Sequence, residues 1–213
     1  MRKINYRFQF LPCLLLLSVG LFLTAANVKY KTFKITEGVT AKLPSDFVPM
    51  SDDDIAYKYP STKKPLAMFT NSERLVDFGL NVSKSKFPGN DLKILQQIYK
   101  ATLLDMYQKV QFKQEQIKEI NKKQFIVFEF TSQVESQRTY TYLLYTLVKD
   151  QVYLFNFSCP FPIMDKWQTV ADKVMNSIKM HVKDPIEVKP PVKEGVKKYQ
   201  PKVKKGDKNK EVK

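Results

Sequence analysis

Residues 112–159 carry a hydrophobic pattern that predicts four consecutive β-strands separated by short polar turns. Apolar and polar side chains alternate in the first strands, and the third is apolar on both faces. Strands joined by short turns pair antiparallel, and strands with mixed apolar faces are typical of the centre of a sheet that is covered on both sides. The predicted strands are Phe112–Ile120, Phe125–Phe130, Arg138–Val148 and Val152–Cys159.

Upstream of this meander, the pattern predicts two further strand pairs, each closed by a turn. Glu37-Gly38 closes the first pair and Asn71-Ser72-Glu73 closes the second. Polar turn residues between short apolar runs are the usual signature of such connections. The four strands lie at residues 33–36, Thr40–Leu43, Leu66–Phe69 and Val76–Val82.

Between the two pairs, Ser51 followed by Asp52–Asp54 predicts the start of a short helix that Pro60 ends. A serine at the N-cap accepts a hydrogen bond from a first-turn amide, and acids there favour the positive end of the helix dipole. Adjacent acids also suggest a cation site. An EF-hand loop, however, needs alternating acids, a glycine and a glutamate at its twelfth position. The sequence therefore favours helix capping over cation binding.

Two longer helices frame the meander. Asn90 or Asp91 caps a helix that is predicted to run to about Val110, with an apolar stripe that we expect to pack on the sheet. After the prolines that end the last strand, a closing helix is predicted to run to about Met180. The only tryptophan, Trp167, lies on the apolar stripe of this closing helix and is expected to anchor it.

This order of elements predicts an α+β fold, an antiparallel sheet covered by helices on both faces in an α/β/α sandwich. The local sequences "KLPSDF", "MSDDDIAYKYP", "PLAMFTNSERLVDFGLNVS", "TYTYLLYTLV" and "WQTVADKVMNSIKM" occur in that order. With these elements the chain resembles the PsbP-like superfamily, the fold shared by PsbP, Mog and DcrB, over roughly Thr32 to Val182. The resemblance implies a mostly non-enzymatic accessory or binding role. It assigns no binding residue.

The first 26 residues have the features of an export signal. A basic start is followed by an apolar run from Leu11 to Leu23 and by Thr24-Ala25-Ala26, whose small residues suit a signal peptidase site. We expect residues 1–26 to be removed, leaving a domain at 27–182 in the periplasm or outside the cell. The alternative is an uncleaved signal that anchors the chain, because the run is near the lower length limit for a spanning helix.

The charge of +15 is concentrated at the ends of the 213-residue chain. Residues 183–213 hold 11 lysines against five acids, and they interrupt any periodicity with four prolines. This composition predicts a disordered tail. One interpretation makes the tail an arm that contacts an anionic lipid, cell-wall polymer or acidic partner, and the other makes it a solubilising segment. The candidate contacts are Lys197, Lys198, Lys202, Lys204 and Lys205.

Composition argues against most catalytic chemistry. The chain has one histidine, His181, and two cysteines, and it contains none of the common nucleotide-binding, hydrolase or metalloprotease motifs. Cys159 lies in an apolar run and is expected to be a small buried residue, because a reactive thiol needs a nearby base. We expect no catalytic residue, no cofactor and no metal site.

Four tyrosines on the last two strands have two interpretations. They could line an aromatic groove for a ligand or partner, or they could be core residues of a sheet packed under helices. We favour the core. The tyrosines are Tyr140, Tyr142, Tyr145 and Tyr153.

Taken together, the sequence predicts an exported, non-catalytic binding or accessory protein of the bacterial cell envelope. Its partner would be an envelope protein or an anionic surface. Nucleic acid is disfavoured, because an exported protein rarely meets it and the high pI is partly a terminal effect. No transmembrane span is expected after cleavage, and the oligomeric state is open. The alternative is a soluble carrier that holds a small apolar ligand between sheet and helix, and an enzyme is the least favoured class.

Overall fold

The computed structural model describes residues 28–59, 64–134 and 136–182. The predicted export signal, Pro60, and the whole tail from residue 183, with its five candidate lysines, lie outside the described residues.

Within these ranges the chain forms ten strands, three α-helices and a single 3₁₀ turn at Phe161–Ile163. The helices are α1 (Asp52–Lys58), α2 (Leu92–Met106) and α3 (Met164–Asn176). The strands are β1 (Tyr30–Thr36), β2 (Val39–Pro44), β3 (Val48–Pro49), β4 (Ala67–Thr70), β5 (Asp77–Lys86), β6 (Gln108–Ile120), β7 (Lys123–Val134), β8 (Gln137–Val148), β9 (Gln151–Pro160) and β10 (Lys179–Met180).

Seven strands form one antiparallel sheet in the order β3-β4-β5-β9-β8-β7-β6. The four strands of the predicted meander are neighbours in it, so that prediction is confirmed. Strands β1, β2 and β10 form a second, smaller sheet that the sequence did not predict as separate. The α+β class with helices on both faces of an antiparallel sheet is confirmed.

The large sheet is buried on both faces at its centre. Alternate residues of β8 point to opposite sides: Tyr142 belongs to a core with α3 and the small sheet, and Leu143 belongs to a core with α2. Successive side chains on a strand face opposite ways, so each face needs its own cover. We call the side of α3 and the small sheet the α3 face, and the opposite side the α2 face. Helix α1 also lies on the α2 face, where it packs on Met68.

Both longer helices end earlier than the sequence predicts, because strand pairing replaces them. Helix α2 ends at Met106, and Tyr107 is already extended at φ −119° and ψ 142°. The chain then enters β6, where Gln108 pairs with Gln133 of β7. Pairing with β7 gives the backbone N–H and C=O groups of this segment the hydrogen bonds that a longer helix would otherwise supply.

The closing helix shows the same effect. Helix α3 ends at Asn176 instead of about Met180, and Lys179 pairs with Thr40 of the small sheet. The Ser177 hydroxyl also accepts a hydrogen bond from the backbone N–H of Lys42 at 2.7 Å. These contacts fasten the end of α3 to β2.

The apolar stripe of α2 packs on the sheet only in part. Leu95 and Leu103 are buried, and Tyr99 stacks on Tyr145 with ring centroids 4.1 Å apart. Ile94 and Ile98, apolar residues of the same helix, are instead about half exposed. Each residue of a helix is rotated by roughly 100° from the one before it, so Ile94 and Ile98 point away from the sheet that their neighbours contact.

Trp167 anchors α3, as the sequence predicts. Its ring is buried against Phe47 and Phe157, with centroids 6.1 and 6.4 Å away. Phe157 lies on β9 of the large sheet, and Phe47 follows β2 of the small sheet. The indole therefore joins three parts of the fold.

We predict that Trp167→Ala lowers the free energy of unfolding by ~3–5 kcal/mol, the usual cost of removing a large buried aromatic side chain. Urea denaturation measures it. Lys173→Ala, an exposed position on the same helix, serves as the control and should change little. A Trp167→Ala variant as stable as the control would contradict the anchoring role.

Candidate functional site

A buried carboxylate lies beneath the short helix α1. Ser51 caps this helix by accepting a hydrogen bond from the Asp54 N–H at 3.1 Å, which confirms the predicted cap. The seven residues of α1 then bring Lys58 and Tyr59, at its C-terminal end, over the start of β5. There they meet Asp77, whose side chain points to the α2 face of the sheet.

Asp77 is only 3% exposed, and two donors bind the same oxygen. The Tyr59 hydroxyl donates to Oδ2 at 2.6 Å, and the Lys58 ammonium lies 2.6 Å from that atom. Burial and the neighbouring Asp77 charge raise the pKa of Tyr59 well above its usual value, so the phenol stays a donor. The other oxygen, Oδ1, has no hydrogen-bond partner in the part of the chain that the structure describes.

A pocket of about 200 Å³ opens between α1 and the β4–β5 connection, and Lys58, the ion-pair partner of Asp77, is one of its lining residues. Typical small-molecule sites occupy roughly 300–1,000 Å³, so this pocket is sized for one side chain and not for a whole ligand. Its rim is charged: the Arg74 guanidinium pairs with Asp54 at 2.7 Å. The lining residues are Met50, Asp54, Tyr57, Lys58, Thr70 and Arg74.

One exposed apolar side chain lines the pocket, and two more neighbour its lining residues. Tyr57 on α1 is 91% exposed, and Leu75, next to Arg74, is about half exposed. Val48 is also half exposed. It lies directly opposite Thr70 in the sheet and so shares the face of that pocket residue. We call Val48, Tyr57, Lys58, Arg74 and Leu75 the α1 surface.

Two of the three acids at the start of α1 are engaged locally. Asp52 pairs with Lys64 at 2.6 Å, and Asp54 accepts from both Arg74 and the Ser51 hydroxyl. Among the described residues no cluster of three or more potential metal ligands occurs. The arrangement supports the capping interpretation of this acidic sequence.

A second buried acid, Glu129, joins the large sheet to α3. It accepts hydrogen bonds from Tyr140 at 2.9 Å, Gln168 at 3.0 Å and Gln114 at 2.6 Å. Burial and the Glu129 charge raise the pKa of Tyr140, so its hydroxyl keeps its proton. Glu129 lies on the α3 face and Asp77 on the α2 face, with two strands between them. They therefore do not form an acid–base pair.

The four tyrosines for which an aromatic groove was the alternative to the core do not share one surface. Tyr140, Tyr142 and Tyr153 are buried in the core of the α3 face, whereas Tyr145 is buried on the α2 face. These side chains serve as core residues. The predicted tail lysines, 197–205, lie outside the described residues.

Cys159 is likewise a core residue. Its side chain is buried on β9, and burial raises the pKa of the thiol to about 12. At neutral pH the thiol is protonated and is a poor nucleophile. The sole histidine, His181, is exposed after β10, where its backbone N–H donates to the Gly38 carbonyl.

Sequence reasoning did not single out Asp77 or Glu129. Both occupy polar positions of alternating strands, which usually face solvent. For Glu129 a signal was available: it lies in a meander predicted to be covered on both faces, where an acid needs partners. Asp77 is covered by the C-terminal end of α1. This contact joins two separate segments of the chain, and the alternation of apolar residues within β5 does not reveal it.

We predict that Tyr59→Phe lowers the free energy of unfolding by ~1–3 kcal/mol, because Asp77 loses a donor while buried. Urea denaturation at neutral pH measures the change. Tyr57→Phe is the matched control on α1, since its hydroxyl is exposed and its removal should have almost no effect. Equal stability of the two variants would show that the Asp77 hydrogen bond contributes nothing.

No protein-family model matches the chain, and no curated protein does. Solved structures do. LpqN of Mycobacterium tuberculosis, described as involved in cell envelope biogenesis, aligns with 9% identity over 72% of this chain and 91% of its own, with a TM-score of 0.50. A point mutant of Mog1 aligns with 11% identity over 71% and 96%, also with a TM-score of 0.50. At such identities the likeness concerns the fold alone. The chain has the PsbP/Mog-like fold, as its sequence pattern predicts.

Proposed function

We propose that this chain is an exported, non-catalytic accessory protein of the bacterial cell envelope that binds a protein partner through the α1 surface. The observation that carries the proposal is the group of exposed apolar side chains at and beside a small apolar pocket, whose rim carries the Arg74–Asp54 ion pair. Exposed apolar side chains that lie close together are costly in water, and tyrosine and arginine are enriched at protein interfaces.

The chemistry of the α1 surface suits a protein more than a small molecule. The pocket has room for a single inserted side chain, and Tyr57 and Arg74 belong to the residue types that dominate binding energy at interfaces. Lys58 and Arg74 supply positive charge at the pocket, and Asp54 supplies negative charge. An anchor residue flanked by polar groups of both signs would be complementary to this surface.

An envelope setting rests on the expected export signal and on the domain limits at 27–182. The described residues include no helix long and apolar enough to cross a membrane. LpqN, which has the same fold, is described as involved in cell envelope biogenesis. That description belongs to LpqN, and it is compatible with the envelope role proposed here.

The carrier and enzyme alternatives receive less support from the packing. The Tyr99–Tyr145 stack occupies the contact between α2 and the sheet, and Trp167 occupies the contact between α3 and the sheet. The two buried acids lie on opposite faces and are held by their own partners. These contacts use the apolar and acidic groups that a carrier or a hydrolase would need.

We predict that a photo-crosslinking amino acid at Tyr57 captures a specific protein in the envelope of the native host, because this side chain projects from the α1 surface. The same label at Thr32, exposed on β1, is the control. Immunoblotting detects the adducts. Adding Leu75→Asp should abolish the Tyr57 adduct without changing the melting temperature. Identical adducts from both positions, or a Tyr57 adduct that survives Leu75→Asp, would contradict the proposed surface.

We also propose that the tail at 183–213 is an electrostatic arm. A polybasic segment gains ~1 kcal/mol per Lys or Arg near an anionic surface, within a Debye length of ~8 Å at physiological salt.

Deleting the tail should leave the melting temperature nearly unchanged and reduce salt-sensitive retention on anionic vesicles. Replacing the five candidate lysines by serine should reproduce the loss. Full retention after deletion would reduce the tail to a solubilising segment, and an unfolded truncated chain would refute the domain boundary.

A further inference from the structure

Two hairpin turns of the large sheet carry charged residues where glycine would be favoured. The β6–β7 turn is Asn121-Lys122, with φ values of 49° and 67°, and the β8–β9 turn is Lys149-Asp150, with φ values of 43° and 64°. Two-residue turns with positive φ at both positions are of type I′, and their preferred sequence is Asn-Gly. A lysine side chain in this region costs stability that glycine would not, so the turn geometry does not explain Lys122.

The two turns lie at the same end of the fold as the ends of several other elements. Phe87, which follows β5, donates its backbone N–H to the Asp150 carbonyl at 2.6 Å. The Asn121 side chain donates to the carbonyls of Asn176 and Ile178, at the end of α3, at 3.1 and 2.8 Å. The end of β5, the end of α3 and the start of β10 therefore meet the two turns in one surface.

Exposed lysines gather on this surface. Lys86 ends β5, Lys173 lies in the last turn of α3, and Lys179 begins β10. We call these three residues, together with Lys122 and Lys149, the lysine end. Lys86, Lys122, Lys173 and Lys179 form no ion pair with any other residue that the structure describes.

Acidic residues are fewer than lysines on the same surface. The five acids there are Glu37, Asp91, Glu119, Asp150 and Asp172. Glu37 pairs with Lys34 of β1, so four acids remain. Against them stand the five residues of the lysine end and three further lysines, Lys93, Lys118 and Lys123. The surface therefore has a net positive charge, which favours an anionic partner.

The residue types at this end favour a lipid surface over a protein. The described arginines, Arg74 and Arg138, both lie at the opposite end of the large sheet, and none of the exposed large hydrophobic residues described lies on these turns. Protein interfaces are enriched in arginine and aromatic residues and depleted in lysine. Lysine is a hydrated point charge with no fixed pairing geometry, which suits a diffuse anionic surface.

We propose that the lysine end lies on an anionic lipid bilayer, with Lys122 and Lys149 at the hairpin tips that meet the headgroups. The described chain also leaves the fold at this end: the His181 N–H donates to the Gly38 carbonyl at 2.6 Å, and Val182 is the last described residue. Residues 183–213, with their 11 lysines against five acids, therefore begin next to the same bilayer.

This orientation is compatible with partner binding at the α1 surface. Thr70 pairs with Asp77 and Asp77 with Ser158, at the end of the large sheet opposite the lysine end. The α1 surface lies at that end, so it faces away from the bilayer. The inference rests on the proposed envelope setting, and it adds a membrane-contacting part of the folded body to the proposed electrostatic arm.

Co-sedimentation with vesicles, using the protein as processed by its host, tests the proposal. The wild type should bind vesicles of phosphatidylcholine and phosphatidylglycerol, and it should bind phosphatidylcholine alone much more weakly. Lys122→Gly should weaken binding to the anionic vesicles about fivefold, the value of one lysine near an anionic surface. The same variant should have a higher melting temperature, because glycine adopts positive φ without strain.

Lys109→Gly is the matched control. Lys109 is exposed, has a φ of 51° and lies at the start of β6, at the opposite end of the sheet. This variant removes the same charge from the same kind of backbone position, so it should also raise the melting temperature but leave vesicle binding almost unchanged. Asp150→Gly relieves the β8–β9 turn but removes an acid, so it should strengthen vesicle binding.

The outcomes separate the lysine end from the tail. Equal losses from Lys122→Gly and Lys109→Gly would overturn the proposal, because net charge alone would then govern binding. Unchanged vesicle binding of Lys122→Gly would also overturn it and would leave an acidic protein as the partner of this end. If deleting residues 183–213 has no effect while Lys122→Gly still weakens binding, the electrostatic arm fails and the lysine end stands.

Discussion

The need to cover both faces of one antiparallel sheet determines most of this fold. Strands β8 and β9 carry buried aromatic and aliphatic side chains on alternate positions, so leaving either face open would expose a large apolar area. Helix α3 and the small sheet cover one face, and α1 and α2 cover the other. Glu129 and Asp77 then fix individual helices on these faces through buried hydrogen bonds. Because a buried acid requires specific donors, these contacts select one position for each helix.

The sequence predicts an element well where side chains within a few residues of each other decide its structure. Alternation identified the four strands of the meander. Capping chemistry identified Ser51 as the start of α1 and limited the start of α2 to Asn90 or Asp91, of which Asp91 is the cap. The sequence failed at the ends of the helices. Ile178 continues the helical spacing of α3, yet the helix ends at Asn176 and pairing with β2 draws Lys179 and Met180 into the small sheet. Such competition is decided by a distant strand, and no pattern within the helix records it.

The surfaces were harder to predict than the core for a related reason. Ile94 and Leu95 are neighbours of similar hydrophobicity, and only the orientation of α2 on the sheet exposes one and buries the other. Tyr57 and Tyr59 differ in the same way: one projects into solvent and the other donates to Asp77. The four tyrosines were correctly assigned to the core, because strands that are apolar on both faces have no outer side. The residues of a binding surface do not repeat at regular intervals along the sequence, so no pattern marks them.

The distribution of polar contacts favours binding over catalysis as the use of this fold. Asp77 and Glu129 are committed to holding helices, and the Cys159 thiol is protonated and buried, so the reactive groups of the core have structural roles. What remains open to solvent is apolar area at the α1 surface, where Val48, Tyr57 and Leu75 are exposed. A partner that covers this area gains the free energy of burying apolar surface without disturbing the buried contacts of either acid.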